Sequence, residues 1–297
     1  MNEDRPSTAG VAGRLVGALI SGEEIEGLGV LDVGAVVTVD QVAEALGVTK
    51  SSATAGVRTL AAKNVIRSRQ RTGAVVQPRE NWNYLDLELH DWLLDAEELG
   101  ALEMLHEVRI GVETAAARAA AARILPQQYD AIIGLARKIF TLGYEQSDGF
   151  AQHWRDFGEA DARYHGLILR ASGNPVIHAF EPMITKLLWK RLGRRGGLED
   201  TAGLAFPDVP LPEAMVLHVA QGKAIVQRNA DAAEVFTKAI LIGFGSGLAN
   251  PYLQAGLARA FEDLRWSTSE RSRYQPLIDQ VLLDRRGSRE THARARR

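Results

Sequence analysis

The 297-residue chain contains no cysteine, which excludes disulfides, thiolate metal centres and cysteine nucleophiles and fits a reducing compartment. It also lacks a surplus of either charge: Lys+Arg 35 against Asp+Glu 37 leave a formal net charge of -2. No whole-molecule field therefore draws it to nucleic acid or membrane, and any affinity for a polyanion must be local. No apolar run approaches the length of a membrane span, and residues 1–10 are polar with no apolar signal core. A cytoplasmic protein without membrane association is expected. No fixed-period repeat is present, which argues against a solenoid.

Helical periodicity, carried by alanine and leucine, dominates from about residue 85 onward, whereas alternating β-branched segments cluster near residues 65–77. The length exceeds that of a usual single domain, so two domains are expected. Val11, Leu15, Val16, Leu19 and Ile20 recur at helical spacing and define a first helix, ended by Ser21-Gly22. The Gly- and Val-rich residues 27–37 read as a connector with a short strand. Residues 39–46 form a short helix broken by Gly47, and Thr49 caps a second helix over residues 50–63. Residues 65–69 and 74–77 then alternate around Gln70-Arg71-Thr72-Gly73, a hairpin pattern. This order of helix, tight turn, helix and hairpin is that of a winged helix-turn-helix.

Between Gly47 and Glu80 the charged residues are Lys50, Arg58, Lys63, Arg67, Arg69, Arg71 and Arg79, with Glu80 the one acid. Clustered cations gain from counterion release along a duplex, and the N-terminal turns of a recognition helix meet base edges. Lys50, Ser51, Ser52, Thr54 and Arg58 on the helix, and Arg69, Arg71, Thr72 and Gly73 on the wing, are the candidate contacts to double-stranded DNA. The competing reading is a basic surface that only keeps the protein soluble; the motif order weighs against it.

Leu60-Ala61-Ala62-Lys63-Asn64-Val65-Ile66 through Arg71-Thr72-Gly73, followed by residues 78–86 (PRENWNYLD), closely resembles GntR-superfamily regulators with an FCD-type ligand domain, and among them the galactonate-repressor-like branch. The resemblance extends to about residue 250. It implies a mainly α protein: an N-terminal winged helix-turn-helix over residues 1–78, a linker at 79–84, and a C-terminal all-helical bundle at 85–284 for effector binding and dimerisation. Residues 285–297, arginine-rich and without large apolar side chains, are expected to form a disordered basic tail. Within the bundle the pattern predicts helices at 85–95, 98–123, 126–145, 149–171, 175–193, 212–228 and 230–247, two weaker ones before 284, and a long loop at 193–212. One departure concerns the recognition helix, which in such regulators usually opens Ser-Arg-Thr and carries another arginine four residues on. Here the matching residues are Thr49-Lys50-Ser51 and Thr54, so the guanidinium forks are replaced and a different operator is implied.

Asp161 and His165 stand at i and i+4, on one helix face, where they can share a metal or simply hydrogen-bond in a core. Asp161-Ala162-Arg163-Tyr164-His165, with Ala171-Ser172-Gly173-Asn174-Pro175, resembles the FCD core. That resemblance implies a divalent metal such as zinc on Asp161, His165 and His218; the place of a fourth ligand falls near Ile240, and no histidine occurs between His218 and His292. It also points to Arg109 as the partner of an effector carboxylate, against an ordinary surface ion pair with Glu113 at i+4. Asn174 is a second effector candidate whose simpler role is to bond its own turn. His153 lies on the Asp161 stripe at its rim; His90, His106 and His178 have no evident partner. The expected function is a homodimeric regulator, a repressor, on a palindromic operator and controlled by a small carboxylate such as a sugar acid. Its rivals are a metal-dependent helical-bundle enzyme and a helical scaffold with a degenerate ligand site.

Overall fold

The computed structural model describes residues 10–69, 72–96, 99–144, 150–195, 212–242 and 250–294. They divide into two compact units, Met1–Met104 and Leu105–Arg297.

In the first unit, helix α1 (Val11–Ser21) buries Leu15 and Val16. A small hairpin follows, β1 (Glu24–Ile25) with β2 (Gly29–Val30), and then β3 (Val36–Val37); the connector at 27–37, read with one short strand, holds two, β2 and β3. Helix α2 (Val39–Leu46) opens with a capping box in which Thr38 and Gln41 satisfy each other's backbone N–H groups. It ends at Gly47, and Thr49 caps helix α3 (Lys50–Ala62) by accepting from Ser52 N. Gly56 lets α3 lie against α1: a Cβ there would stand 2.5 Å from Val11 Cγ1. Strands β4 (Ile66–Arg69) and β5 (Gly73–Val76) form the wing, with β5 at the centre of an antiparallel sheet of order β3-β5-β4. Gly73 holds φ +102°, and a Cβ there would meet Val37 O at 2.6 Å, so the register of β3 on β5 itself demands glycine. The fold is a winged helix-turn-helix.

Sequence expectations put a linker at 79–84 and the helical domain from 85, yet these residues and helix α4 (Leu87–Asp95) lie within the first unit, where α4 packs on α1. The cause is local. Trp82 is buried and donates from Nε1 to Gln77 O, and Asn83 N donates to Lys63 O. Asp86 caps α4 and pairs with Lys63 Nζ at 2.7 Å, while Glu88 lies 3.0 Å from the same ammonium.

The second unit is an all-helical bundle. Helix α5 (Leu99–Arg123) is followed by α6 (Tyr129–Tyr144), α7 (Phe150–Ala171), the single turn α8 (Pro175–His178) and α9 (Glu181–Arg195). The remainder is α10 (Pro212–Val226), α11 (Ala230–Ile242), α12 (Pro251–Asp263) and α13 (Thr268–Arg294). Helix α6 packs on α7 and α10, α7 on α9, α10 on α11 and α13, and α11 on α12. The stretch 175–193, expected as one helix, is broken after His178; Pro182 lacks an amide hydrogen and suits the first turn of a new helix. The loop expected at 193–212 lies for the most part outside the described residues. The expected disordered tail is corrected in part, because α13 runs on to Arg294. Its first half is anchored by buried Tyr274, Ile278 and Val281, and adding residues to a helix already nucleated costs less than starting a new one. Among the described residues, no helix is long and apolar enough to cross a membrane.

Candidate functional site

On the winged domain, Ser51, Ser52 and Arg58 of α3 and Arg67 and Arg69 of β4 are exposed, as is Thr72 at the wing turn. Lys50 is exposed and pairs with Asp40 at 2.6 Å, a surface ion pair that phosphate can displace at little cost. Thr54 donates its hydroxyl to Lys50 O at 2.7 Å. Arg71 lies outside the described residues. The basic cluster read from the sequence is smaller than it looked. Lys63 is buried, held by Asp86 and Glu88 with its ammonium 5.3 Å from the Trp92 ring centroid, and Arg79 stacks over Trp82. Burial would depress the Lys63 pKa, but its two carboxylate partners more than reverse this and raise it.

In the second unit, α5, α7 and α10 bring together a polar cluster inside the bundle. Asp161, His165 and His218 offer one ligand atom each, all within 4.8 Å of one another. These are the three residues that the sequence singled out as one ligand set, and the structure places them side by side. His165 Nε2 is 3.4 Å and His218 Nε2 is 3.5 Å from Asp161 Oδ1. The Arg109 ion pair with Glu113 forms, but in the interior: the two side chains are 2% and 3% exposed. Glu113 also contacts His165 Nδ1, and Arg109 Nη2 lies 3.3 Å from His165 Nε2. Glu113 is the residue that sequence reasoning treated only as a surface partner. Tyr164, also missed, donates its hydroxyl to His218 O at 2.9 Å and sets its ring against both imidazoles.

Burial alone would raise the carboxyl of Glu113, yet Arg109 and His165 hold it down at about 2. Asp161 is likewise pushed up by burial and pulled well below the usual carboxylate range by His165 and His218. Burial lowers His165, but Glu113 and Asp161 reverse this and raise it to about 9. His218 is lowered, by burial first and by the neighbouring cations, and stays neutral. Without a further ligand the cluster is thus two carboxylates against an imidazolium and a guanidinium.

The donor set fits a divalent metal. Two imidazoles and an ionised carboxylate are borderline ligands of the zinc type, and Glu113 on His165 Nδ1 supplies the carboxylate behind a ligating histidine. Among the described residues, buried His218 Nδ1 and Gln221 Oε1 have no hydrogen-bond partner. Ile240 on α11 is buried and apolar where a fourth ligand was sought. Asn174 caps α8 by accepting from Val176 N at 2.9 Å, its simpler role. The side chain of His153 lies outside the described residues. The other histidines have partners after all: His90 Nε2 lies 2.5 Å from Tyr84 O, His106 Nε2 3.0 Å from Leu241 O, and His178 Nε2 3.0 Å from Glu181 Oε2.

A winged helix-turn-helix joined to a helical domain with an enclosed polar cluster defines a DNA-binding regulator with a sensory domain. Residues 104–242 match the FCD domain family. The chain is 30% identical over 178 residues to the galactonate operon transcriptional repressor of Escherichia coli K12, covering 60% of this chain and 71% of that protein. It is 28% identical over 141 residues to the uncharacterized HTH-type transcriptional regulator YieP of the same organism, covering 47% of this chain and 59% of that protein. Among solved structures, Streptococcus agalactiae GntR is 22% identical with a TM-score of 0.37, covering 70% of this chain and 88% of that one. E. coli McbR/YncC is 16% identical with a TM-score of 0.37, covering 85% and 95%. The protein belongs to the GntR family of transcription regulators carrying an FCD domain. Members of this family are not enzymes, which removes the metal-dependent enzyme reading.

Proposed function

We propose that the protein is a homodimeric repressor that binds a palindromic operator and is controlled by a small carboxylate, of the sugar-acid class, received at the α5, α7 and α10 cluster. The observation that carries this reading is the enclosure of Arg109 beside Asp161, His165 and His218, all of them buried. A guanidinium is the natural partner of a carboxylate, while the Asp161, His165 and His218 set would hold a divalent metal such as zinc. When bound, that metal supplies Lewis-acid coordination to an acid's carboxylate and hydroxyl oxygens. The rest falls to the chain: Glu113 orients His165, Tyr164 fixes the α10 backbone at His218, and Asp161 balances the imidazoles.

Residues 1–78 serve as the DNA-binding domain, with Lys50, Ser51, Ser52, Thr54, Arg58, Arg69, Arg71, Thr72 and Gly73 as the contact set. Operator binding places the protein in the cytoplasm. The galactonate repressor relationship supports both the repressor sign and the acid class. Elemental analysis of the purified protein beside Asp161→Ala/His165→Ala is the test of the metal. The double variant should lose all bound metal, and a gel shift on genomically selected DNA should then lose its response to sugar acids. Unchanged metal content would retire the site.

A further inference from the structure

This inference rests on α3 being the recognition helix. Its exposed stripe is Ser51, Ala55, Arg58 and Ala62, with Ser52 beside the first turn. Specific readout of guanine relies on a bidentate Arg or Lys, and of adenine on a bidentate Asn or Gln. The first two turns, those that meet base edges in this motif, carry no Arg, Asn or Gln. Their one long cation, Lys50, is a point charge without a planar fork and is paired with Asp40. Arg58 stands in the third turn.

Of the hydroxyls in these turns, those of Thr49, Ser52 and Thr54 are engaged within the helix, while Ser51 stands on the outward stripe. Thr49 Oγ1 caps the helix and shares a 2.9 Å hydrogen bond with Ser52 Oγ. Thr54 Oγ1 donates to Lys50 O, so its hydroxyl can only accept from a base, and its methyl remains for apolar contact. Ala55 adds a second methyl, exposed on the outward stripe. We infer that α3 reads its half-site chiefly through contact of the Thr54 and Ala55 methyls with thymine C5-methyl groups, so that the operator positions facing α3 are A·T pairs with no obligatory guanine.

Selection of the full-length protein on randomised duplex at physiological ionic strength, followed by binding to the selected site with deoxyuridine in place of thymidine, tests this. Expected are A·T pairs at the α3 positions and a roughly fourfold loss of affinity per contacted methyl removed. Ala55→Gly should bind more weakly and lose sensitivity to uracil at its own position. A half-site that requires guanine, or equal affinity for thymine and uracil DNA, overturns methyl readout and leaves DNA binding standing. The absence of any sequence-selective binding overturns both this inference and the operator reading beneath it.

Discussion

Glu113 carries more of the site than any residue singled out from the sequence. It touches both Arg109 and His165, and without it a guanidinium and an imidazole would face each other unbalanced in the interior. Removing one partner from a buried ion cluster costs about 3–5 kcal/mol. Glu113→Gln should lower the stability of the helical domain by that order in chemical denaturation; a loss under about 1 kcal/mol would show that the cluster is open to water. The Arg109 and Glu113 spacing was legible, but the burial was not. The surrounding turns, Ala115, Ala116, Ala117, Ala119, Ala120 and Ala121, are alanine on every face. Alanine gives almost no contrast between inside and outside, so periodicity could not tell which face of α5 enters the bundle. Asp161 and His165 were legible because Phe157, Tyr164, Ile168 and Leu169 mark their helix strongly.

At the level of elements, α2, α3 and the wing were readable because each has local punctuation: Thr38 and Thr49 at the caps, Gly47 in the turn, Gly73 in the hairpin. The role of α4 was not readable, since Lys63 looks in sequence like one more cation of the DNA face and its acids lie 23 and 25 residues further along. The two kinds of cation should separate in experiment. Arg69→Ala should reduce the slope of log affinity against log salt by about 1 for a lost phosphate contact. Lys63→Ala should instead lower the melting temperature and leave the slope unchanged. If Lys63→Ala flattened the slope as Arg69→Ala does, the ammonium would belong to the DNA surface.

Helix α13 gives a pH test of the same kind. Glu270 bonds Lys223 at 2.8 Å and Arg137 at 3.2 Å, and accepts from Ser267 N. Burial raises its pKa, but Lys223 and Ser267 outweigh this and bring it from 4.5 to about 2. A carboxyl depressed on folding stabilises the fold above its unfolded pKa and loses that contribution as pH falls through the folded value. Glu270→Gln should therefore cost about 1–2 kcal/mol at pH 7, after allowance for screening at the wet edge of the cluster, and the difference should shrink between pH 4.5 and 2. A gap constant across that range would assign the loss to packing instead.

For the whole molecule, regulation requires that the acid and the operator prefer different arrangements of one protein; an acid bound equally well in both would shift nothing, however tightly it held Arg109. Coupling between two sites is reciprocal, so whatever factor the acid imposes on operator affinity, the operator must impose on the acid. Couplings of this kind commonly amount to about 5–150-fold. Titration calorimetry of an active sugar acid against the free protein and against the protein saturated with operator should give affinities that differ by the same factor as the gel-shift midpoints measured with and without acid. Loss of all acid binding to the operator-saturated protein, with an operator midpoint that keeps rising as acid is added, would mean that the acid competes for the DNA surface rather than acting from the cluster between α5, α7 and α10. Arg109→Ala sharpens the choice, because it should remove the calorimetric signal while leaving the salt slope of operator binding untouched.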